Sequence, residues 1–568
     1  MPLAEAQSTS LDDAAGLSPS GPYRALKQAG LVVLCATWVL LGLFGHDPWK
    51  PDDATSIGVA HEMLQRHDYV VAHIAGTALP ERAPLYYALA AASAAMLSPL
   101  LSLHDGARVA NAVCLSLTLW LLALCGRELY GRAFRWLPVL LFIGCVGLWD
   151  RAHYVAPEVG LLTAYALALY SLALSPRRYA VSGALLGLSA GLAFLCRGSL
   201  GLALIAATAL LVSMFRPWRT RHHVVTLALA LAVAAPLIAV WPWALYARDP
   251  ALYAQWLHAQ DIHRFFGQTV NAPPVDLYWY AKNLPWFAFP VLPLALWTLW
   301  VRRRGDNGGL GSAGVTLPAT AAVVITVILS VAAAEPRALL ALPVLVPLSL
   351  LASAEIDTLK RGASGLLDWF GILTFGLLAV LVWALWGESW RNGLPEAVAR
   401  LFNDTQPGYQ PPVQWLALAI GVFLSLLWVV LVRPARRSNR RAVLNWAAGM
   451  TLVWGLYMTI WLPYLDSRRS YRPVVESLAP ELPAGGCVAS HNLGEPQRAL
   501  FEYFIGLVTV RDEIEPGHAC QSLLMQVGRD DSDTPPDSAW VPVWEGRRRG
   551  DSTERYLLFR RTDARPAA

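Results

Sequence analysis

Residues 29–53 read AGLVVLCATWVLLGLFGHDPWKPDD, an apolar run that ends in a short acidic segment. The apolar part is long enough to form a membrane-spanning helix, and similar runs recur up to residue 464. Of the 568 residues, 55% are hydrophobic and only 15% are charged, which is too few charged residues for a soluble protein of this size. The sequence therefore predicts a polytopic helical membrane protein. Its net charge of +5 does not indicate binding to nucleic acid.

The basic residues set the predicted topology. Counting 83–103 as a span would place the basic loop at 126–132 outside, against the rule that short basic loops stay in the cytoplasm. We therefore predict that Ala83–Leu103 is a helix in the membrane interface. About thirteen spans remain, at 29–46, 107–125, 134–149, 159–174, 180–196, 199–214, 223–246, 285–301, 315–334, 338–354, 364–386, 413–432 and 442–464. All the basic clusters between spans then face the cytoplasm.

Three domains follow from this topology. Residues 1–28 are polar and are predicted to be a disordered cytoplasmic N-terminus, with no cleavable signal. Residues 29–464 form the transmembrane domain, whose first outer loop, 45–106, contains juxtamembrane helices. Residues 465–568 are predicted to form a small periplasmic α/β domain, with helices at 471–482 and 495–505 and strands at 487–490, 523–527, 540–544 and 556–559. Cys487 and Cys520 lie in this tail, where either a disulfide or two unpaired thiols fits the sequence.

Charged residues on the predicted outer face are the candidates for chemistry. Asp52 and Asp53 lie at the start of a helix, where Asp53 is interpreted as an N-cap. Arg151, Arg197 and Arg337 stand outside although the topology rule disfavours them there. Each alone fits a side chain that extends to lipid headgroups. Together they indicate a phosphate site, because a guanidinium group presents several donors in a fixed fork.

Several motifs follow one another along the first 350 residues. They are Asp52-Asp53 with Ala60-His61-Glu62-Met63-Leu64, then Glu81-Arg82-Ala83-Pro84-Leu85-Tyr86-Tyr87, then Arg151-Ala152-His153-Tyr154-Val155-Ala156-Pro157-Glu158, and Gly191-Leu192-Ala193-Phe194-Leu195-Cys196-Arg197-Gly198. In this order the chain resembles the GT-C glycosyltransferases that use a polyprenyl-phosphate sugar donor. The resemblance is to the bacterial branch with the lipid A aminoarabinose transferases and related protein O-mannosyltransferases.

The sequence departs from that family at several positions around these motifs. Arg82 and Arg197 stand where the family has lysines, which keeps the charge and favours planar phosphate recognition. Thr55 and Ser56 replace an arginine and a tyrosine, and Ala83 replaces a proline. Near residue 335, Ala334-Glu335-Pro336-Arg337-Ala338 replaces a Ser-x-x-Lys-Arg-x-x-Tyr stretch.

The resemblance implies an all-α GT-C membrane domain and an inverting sugar transfer, and it assigns roles to residues. Asp52 is the candidate base or acceptor-orienting carboxylate, with a solvated loop acid as the alternative. Glu158 is the second acid, or else a partner of its helix dipole. The candidate clamp on the donor phosphate consists of Arg82, Arg197, Arg264 and Arg337.

Further residues complete the candidate site. Asp53 and Glu81 are expected in the substrate cavity with Tyr86 and Tyr87, which either line the lipid entrance or belong to the aromatic belt. Glu81 and His263 together could hold a divalent metal ion, but their spacing does not require one. No other cofactor is expected.

The predicted function is transfer of a sugar from a polyprenyl-phosphate donor to a periplasmic acceptor, such as lipid A or another cell-envelope glycan. The enzyme would lie in the bacterial inner membrane, in contact with its lipids, with its active site facing the periplasm. Protein O-glycosylation is one alternative. A lipid-linked-sugar transporter or flippase is another, although such proteins usually carry charges inside their spans. A membrane scaffold gives no reason for the acids and arginines to share one side.

Overall fold

The computed structural model describes residues 21–257, 278–305, 308–331, 338–393, 395–396, 410, 412–433, 438–483, 485–514, 520–528, 539–549, 551 and 553–562, with side chains from residue 28 onward. The first half of the chain contains α1 Gly21–Leu40, α2 Asp52–Arg66, β1 Ala72–Ile74, β2 Thr77–Leu79, α3 Leu85–Leu97, α4 Leu103–Tyr130, α5 Leu137–Ile143, α6 Pro157–Leu174, α7 Tyr179–Val212, α8 Arg221–Arg248, α9 Pro250–Ala254, α10 Trp279–Phe287 and α11 Val291–Arg302.

The second half continues with α12 Ala313–Val331, α13 Leu345–Ser353, α14 Arg361–Asn392, α15 Trp415–Leu431, α16 Asn439–Tyr457, α17 Leu462–Arg469, α18 Arg472–Leu478, β3 Val488–His491, α19 Glu495–Ile505, β4 Val510–Arg511, β5 Ser522–Gly528, β6 Trp540–Gly546 and β7 Glu554–Arg561. Short 3₁₀ helices lie at Arg132–Phe134, Val146–Leu148, Arg151–His153, Ala338–Val344, Ile356–Thr358 and Ala479–Glu481.

The predicted spans coincide with helices, but not all of these helices are straight or long. Within the described ranges, six helices are long and apolar enough to cross a membrane: α4, α6, α7, α8, α12 and α14. Three further predicted spans are helix pairs bent by 63°, 96° and 61°, at 132–153, 279–302 and 439–469. Shorter apolar helices occupy the predicted spans at 29–46, 338–354 and 413–432. The chain is a multi-pass membrane protein, and among the described residues six helices qualify as spans by length and composition, or nine if each bent pair is one span.

The helix α7 contains two predicted spans joined by a sharp break. Arg197 and Gly198 have non-helical backbone angles, and Gly198 has a positive φ of 61°, which glycine adopts without steric cost. A Cβ atom on Gly201 would lie 2.4 Å from the carbonyl oxygen of Ala193, a contact impossible in a straight helix. The chain therefore reverses at Arg197, which places this arginine at the end of a helical hairpin.

The helix α3 lies within the segment that we predicted to rest in the interface. It has only 13 residues, or about 20 Å at 1.5 Å per residue, which is shorter than the hydrocarbon core of a bilayer. One face packs inward through Tyr86, Tyr87, Ala90 and Ala94. The structure therefore agrees with a helix that does not cross the membrane.

A five-stranded mixed sheet forms the centre of the C-terminal region. Its strand order is β4-β3-β5-β7-β6, in which β3 runs parallel to β4 and β5, and β7 runs antiparallel to β5 and β6. The predicted helices and strands of the tail are confirmed, whereas β4 and the β1–β2 hairpin were missed. Cys487 and Cys520 form a disulfide across 33 residues, which decides between the two alternatives.

The C-terminal region packs directly on the first loop. Ala54 of α2 belongs to the same buried cluster as Val475, Phe501 and Leu558 of the tail. A Cβ atom on Gly58 would lie 2.6 Å from that of Ala499, so a glycine is needed where α2 crosses α19. This packing places the start of α19 beside the start of α3.

Candidate functional site

The helix α2 begins with the two predicted acids, and their environments differ. Asp52 is half-buried, whereas the side chain of Asp53 is 1% exposed. The Asp53 carboxylate lies 2.7 Å from a guanidinium nitrogen of Arg108 in α4, and it accepts hydrogen bonds from the backbone N–H groups of Trp49 and Val155. The N-cap of α2 is Pro51, without a side-chain capping bond. The interpretation of Asp53 as an N-cap is therefore wrong.

Arg108 is completely buried, and its other bonds tie the first loop to α4. It donates to the carbonyl oxygens of His46 and Asp47 at 2.8 and 3.1 Å, and it contacts Asp105 at 3.1 Å. Burial acts to raise the pKa of the Asp53 carboxyl, but the charge and hydrogen bond of Arg108, with the hydrogen bond from Val155, hold it below its ordinary value. Asp53 is therefore an ionised structural residue that fixes the start of α2.

Arg82 lies just before α3, where it contacts the C-terminal region. One guanidinium nitrogen lies 2.5 Å from Oε2 of Glu495, the first residue of α19, and another donates to the Tyr87 hydroxyl at 3.4 Å. Burial acts to lower the pKa of Arg82, but Tyr87 and Glu495 together raise it above its ordinary value. The arginine is therefore charged and already has an anionic partner.

Arg197, at the break in α7, pairs with Glu158 in the first turn of α6. The two charged groups are 3.1 Å apart; the Glu158 side chain is 5% exposed and that of Arg197 is 29% exposed. An acid in the first turn also complements the helix dipole, so the two interpretations of Glu158 are compatible. Arg197 has a protein partner, and extension to lipid headgroups does not explain its position.

Tyr87 connects these charged groups. Its hydroxyl is buried, which raises its pKa; the charges of Arg82 and Arg197 oppose that effect and the charge of Glu158 adds to it. The two arginines and the acid therefore each lie within electrostatic range of the Tyr87 hydroxyl. Tyr86 and Tyr87 are 1% and 2% exposed, so the aromatic-belt interpretation of both is wrong.

The segment before Glu158 is held by both first-loop helices. The N–H of Val155 donates to Asp53 at 3.1 Å, and the N–H of Ala156 donates to the Tyr86 hydroxyl at 3.3 Å. A Cβ atom on Gly160 would lie 2.8 Å from Sγ of Cys196, beside Arg197. Glu158 is thus positioned by backbone bonds on one side and by close helix packing on the other.

The structure does not bring together every predicted site residue. His263, Arg264 and Arg337 lie outside the described residues. Glu81 is half-buried, and its charge acts on Arg82. Among the described residues, no group of three or more His, Cys, Asp or Glu side chains has the arrangement of a metal site. The Glu81–His263 metal site stays a prediction.

Two residues at the site were missed. Arg108 lies in the first turn of a predicted span, and a charged residue there needs a partner, which is a signal that the sequence did contain. Glu495 lies 413 residues from Arg82 in the chain. No local pattern marks such a contact.

Comparisons with known proteins agree with this geometry. Residues 81–241 match the family described as dolichyl-phosphate-mannose-protein mannosyltransferase. The undecaprenyl phosphate-alpha-4-amino-4-deoxy-L-arabinose arabinosyl transferase of Pectobacterium carotovorum subsp. carotovorum (strain PC1) is 26% identical over 481 residues, covering 79% of this chain and 80% of that relative. The protein of the same name from Pseudomonas aeruginosa (strain UCBPP-PA14) is 27% identical, covering 62% and 64%.

The crystal structure of ArnT from Cupriavidus metallidurans bound to undecaprenyl phosphate has a similar fold. The TM-score is 0.64 at 14% sequence identity, and the match covers 95% of this chain and 98% of that one. The apo form of the same protein matches with a TM-score of 0.63. The similarity extends through both the helical part and the C-terminal region, which confirms the predicted resemblance in fold.

Proposed function

We propose that this chain, a membrane glycosyltransferase of the GT-C type, transfers a sugar from an undecaprenyl-phosphate donor to an acceptor such as lipid A. The names of its relatives make 4-amino-4-deoxy-L-arabinose the first sugar to test. The observation that carries the proposal is the convergence of Arg82, Arg197 and Glu158 around the Tyr87 hydroxyl. Two guanidinium groups that both act on the same hydroxyl are suited to a site for a phosphate group.

The transfer needs charge stabilisation at the leaving group and a base at the acceptor. As the bond between sugar and phosphate breaks, negative charge grows on the departing lipid phosphate, and preorganised cations stabilise it. We assign that role to Arg82 and Arg197, with Arg264 and Arg337 as further candidates. We assign Asp52 as the base that accepts the proton of the attacking hydroxyl, with inversion at the sugar carbon.

Glu158 and Asp53 act through other residues. Glu158 holds Arg197 in place by a 3.1 Å ion pair, and the buried Asp53 anchors both the start of α2 and the segment that precedes Glu158. Because Asp52 adjoins Asp53, this anchor also fixes the proposed base. The role proposed for Asp53 is therefore positioning rather than contact with the substrate.

The same reasoning supports a location and a division into domains. We propose the bacterial inner membrane, with the site on the periplasmic face, because the basic loops are then cytoplasmic. The disulfide between Cys487 and Cys520 suits that oxidising compartment. We propose that residues 29–464 are the transmembrane domain and 465–568 a periplasmic domain.

A deletion strain tests this function. Lipid A from the deletion strain, analysed by mass spectrometry, is expected to lose a sugar, and the wild-type gene should restore it where the Asp52→Asn gene should not. Purified enzyme with undecaprenyl-phosphate aminoarabinose and lipid A then tests sugar and acceptor directly. Unchanged lipid A together with no transfer in vitro would reject both substrates.

Protein O-glycosylation is a second candidate, because the family that matches residues 81–241 is described as a protein mannosyltransferase family. The same two strains, compared by glycopeptide mass spectrometry of periplasmic proteins, separate the candidates. Loss of glycopeptides with intact lipid A would favour the protein acceptor.

A further inference from the structure

We propose that Glu495 occupies the phosphate position on Arg82 in the absence of donor, and that the donor phosphate displaces it. The C-terminal region would thus provide a removable anion that keeps the donor site closed until the lipid phosphate arrives. This inference rests on the proposed phosphate-binding function of Arg82.

The contact has the properties of an exchangeable pair. The Arg82 and Glu495 side chains are 24% and 42% exposed, and they are 2.5 Å apart. Ion pairs in contact with water contribute little to stability because both charges are well solvated when apart. The phosphodiester of the donor carries one negative charge and two terminal oxygens, as a carboxylate does, so it can take the place of Glu495 on the guanidinium group. Undecaprenyl phosphate, a monoester, carries more charge and should replace Glu495 more readily.

The helix that carries Glu495 is anchored without it. One turn further along α19, Arg498 is 3% exposed and donates to the carbonyl oxygen of Ala75 at 3.1 Å and to Oγ1 of Thr77 at 2.6 Å. The N–H of Ala75 in turn donates to Glu502 at 2.9 Å. Release of Glu495 from Arg82 therefore leaves α19 docked on the β1–β2 hairpin.

A second cation is ready for the displaced carboxylate. Arg498 lies within electrostatic range of Glu495, and within the described part of the chain its buried Nε–H has no hydrogen-bond partner. Glu495 thus contacts Arg82 and lies within electrostatic range of Arg498, three residues further along the same helix. A side-chain rotation toward Arg498 would keep it paired after the phosphate has taken Arg82.

Binding of undecaprenyl phosphate to the full chain in detergent tests the exchange. We expect Glu495→Gln to bind this lipid about two- to fivefold more tightly than the wild type, the range for a partly exposed ion pair. The gain should vanish in the Arg82→Ala background and with undecaprenol, which lacks the phosphate. In turnover, Glu495→Gln should lower the KM for the donor and leave kcat unchanged, and Glu495→Asp should lie between the two.

Glu554→Gln is the matched control, because Glu554 also pairs a tail carboxylate with a first-loop cation, Lys50 rather than Arg82. Equal tightening in this control would indicate general loosening of the C-terminal region and overturn the exchange. If Arg82→Ala weakens binding but Glu495→Gln binds the lipid no more tightly than the wild type, the exchange is overturned and the proposed role of Arg82 stands. If Arg82→Ala binds normally, the proposed role of Arg82 fails, and the exchange fails with it.

Discussion

The candidate site contains two kinds of arginine–carboxylate pair, and they differ in access to solvent. In the sealed pair, Arg108–Asp53, the side chains are 0% and 1% exposed. In the open pairs, Arg82–Glu495 and Arg197–Glu158, the arginine side chains are 24% and 29% exposed. The residue types are the same, but only the open arginines are accessible to a ligand.

The difference separates a structural role from a binding role. Four backbone carbonyl or N–H groups and a second acid surround the sealed pair, and its burial keeps both charges out of reach of a substrate. Breaking such a pair leaves a buried charge without a partner, which is costly. Arg82 can exchange its carboxylate for another anion at small cost, because Glu495 is 42% exposed. Glu158 is 5% exposed, so it should stay paired while Arg197 uses its exposed side for a ligand.

Substitutions at the neighbours Asp52 and Asp53 should have different effects, and the largest effect, a loss of activity, is expected at Asp52. Asp52→Asn should lower kcat by about 10²–10⁴-fold, the usual contribution of a general base, while the protein still folds. Turnover by purified enzyme measures the first effect, and size-exclusion behaviour and thermal unfolding in the same detergent measure the second. Near-normal turnover would remove Asp52 from the mechanism.

Loss of the sealed pair should lower the stability of the fold. Arg108→Ala should destabilise the protein by about 3–5 kcal/mol, because it leaves the Asp53 charge buried and unpaired. The lower stability should appear as a lower melting temperature and a lower yield of folded protein. Arg151→Ala is the matched control, because its side chain is 40% exposed and lies 3.8 Å from Asp150. A folded Arg108→Ala protein of normal stability and reduced donor binding would show that the sealed pair serves the substrate.

The sequence was sufficient for the membrane architecture, because long apolar runs and basic loops act locally. The same reasoning predicted the interface helix near residue 83 and most of the tail. It did not predict the β1–β2 hairpin, whose strands have three residues each and no clear alternation. The hairpin is stabilised by Arg498, more than 400 residues away.

The candidate site was only partly predictable, for a similar reason. The motifs placed Arg82, Glu158 and Arg197 on one side, and the structure brings all three near Tyr87. Sequence spacing could not show that each arginine already has an acid, since Glu495 comes from the tail. Nor could it distinguish Asp52 from Asp53, because the burial of Asp53 depends on packing against α4.

The open pairs give the next smaller effect. Arg82→Ala and Arg197→Ala should each weaken undecaprenyl-phosphate binding by roughly 1.5–3 kcal/mol, the worth of a charge-assisted hydrogen bond. Lysine at either position should cost less, because it keeps the charge. Titration of the four variants in detergent measures this. Unchanged affinity in both alanine variants would place the phosphate elsewhere, with Arg264 and Arg337 next to be tested.

The smallest expected effect is a pH dependence of stability, and it involves a pair of acids where α2 meets α19. Glu502 of α19 is 5% exposed, shares a hydrogen bond with Glu62 of α2, and accepts another from the N–H of Ala75. Two cations lie near these acids. Arg66 pairs with Glu62 at 2.5 Å, and Arg498 lies on the same helix as Glu502 and within electrostatic range of it. Two carboxyl groups this close favour holding one proton between them.

The direction of the pH dependence follows from that proton. Burial, followed by the hydrogen bond and charge of Glu62, raises the pKa of Glu502 to about 8. The folded protein then binds a proton that the unfolded chain releases near its ordinary pKa of about 4.5, so stability falls as the pH rises between these values.

Cooperative thermal unfolding should show a melting temperature lower by about 1–2 °C at pH 8.5 than at pH 6, after subtraction of the same difference for Glu502→Gln. Glutamine keeps a hydrogen-bond donor for Glu62 without a titrating proton, so an equal pH dependence in that variant would show that other groups cause it. Glu476 is 62% exposed and its partner Arg472 is 43% exposed, so Glu476→Gln should leave the dependence unchanged.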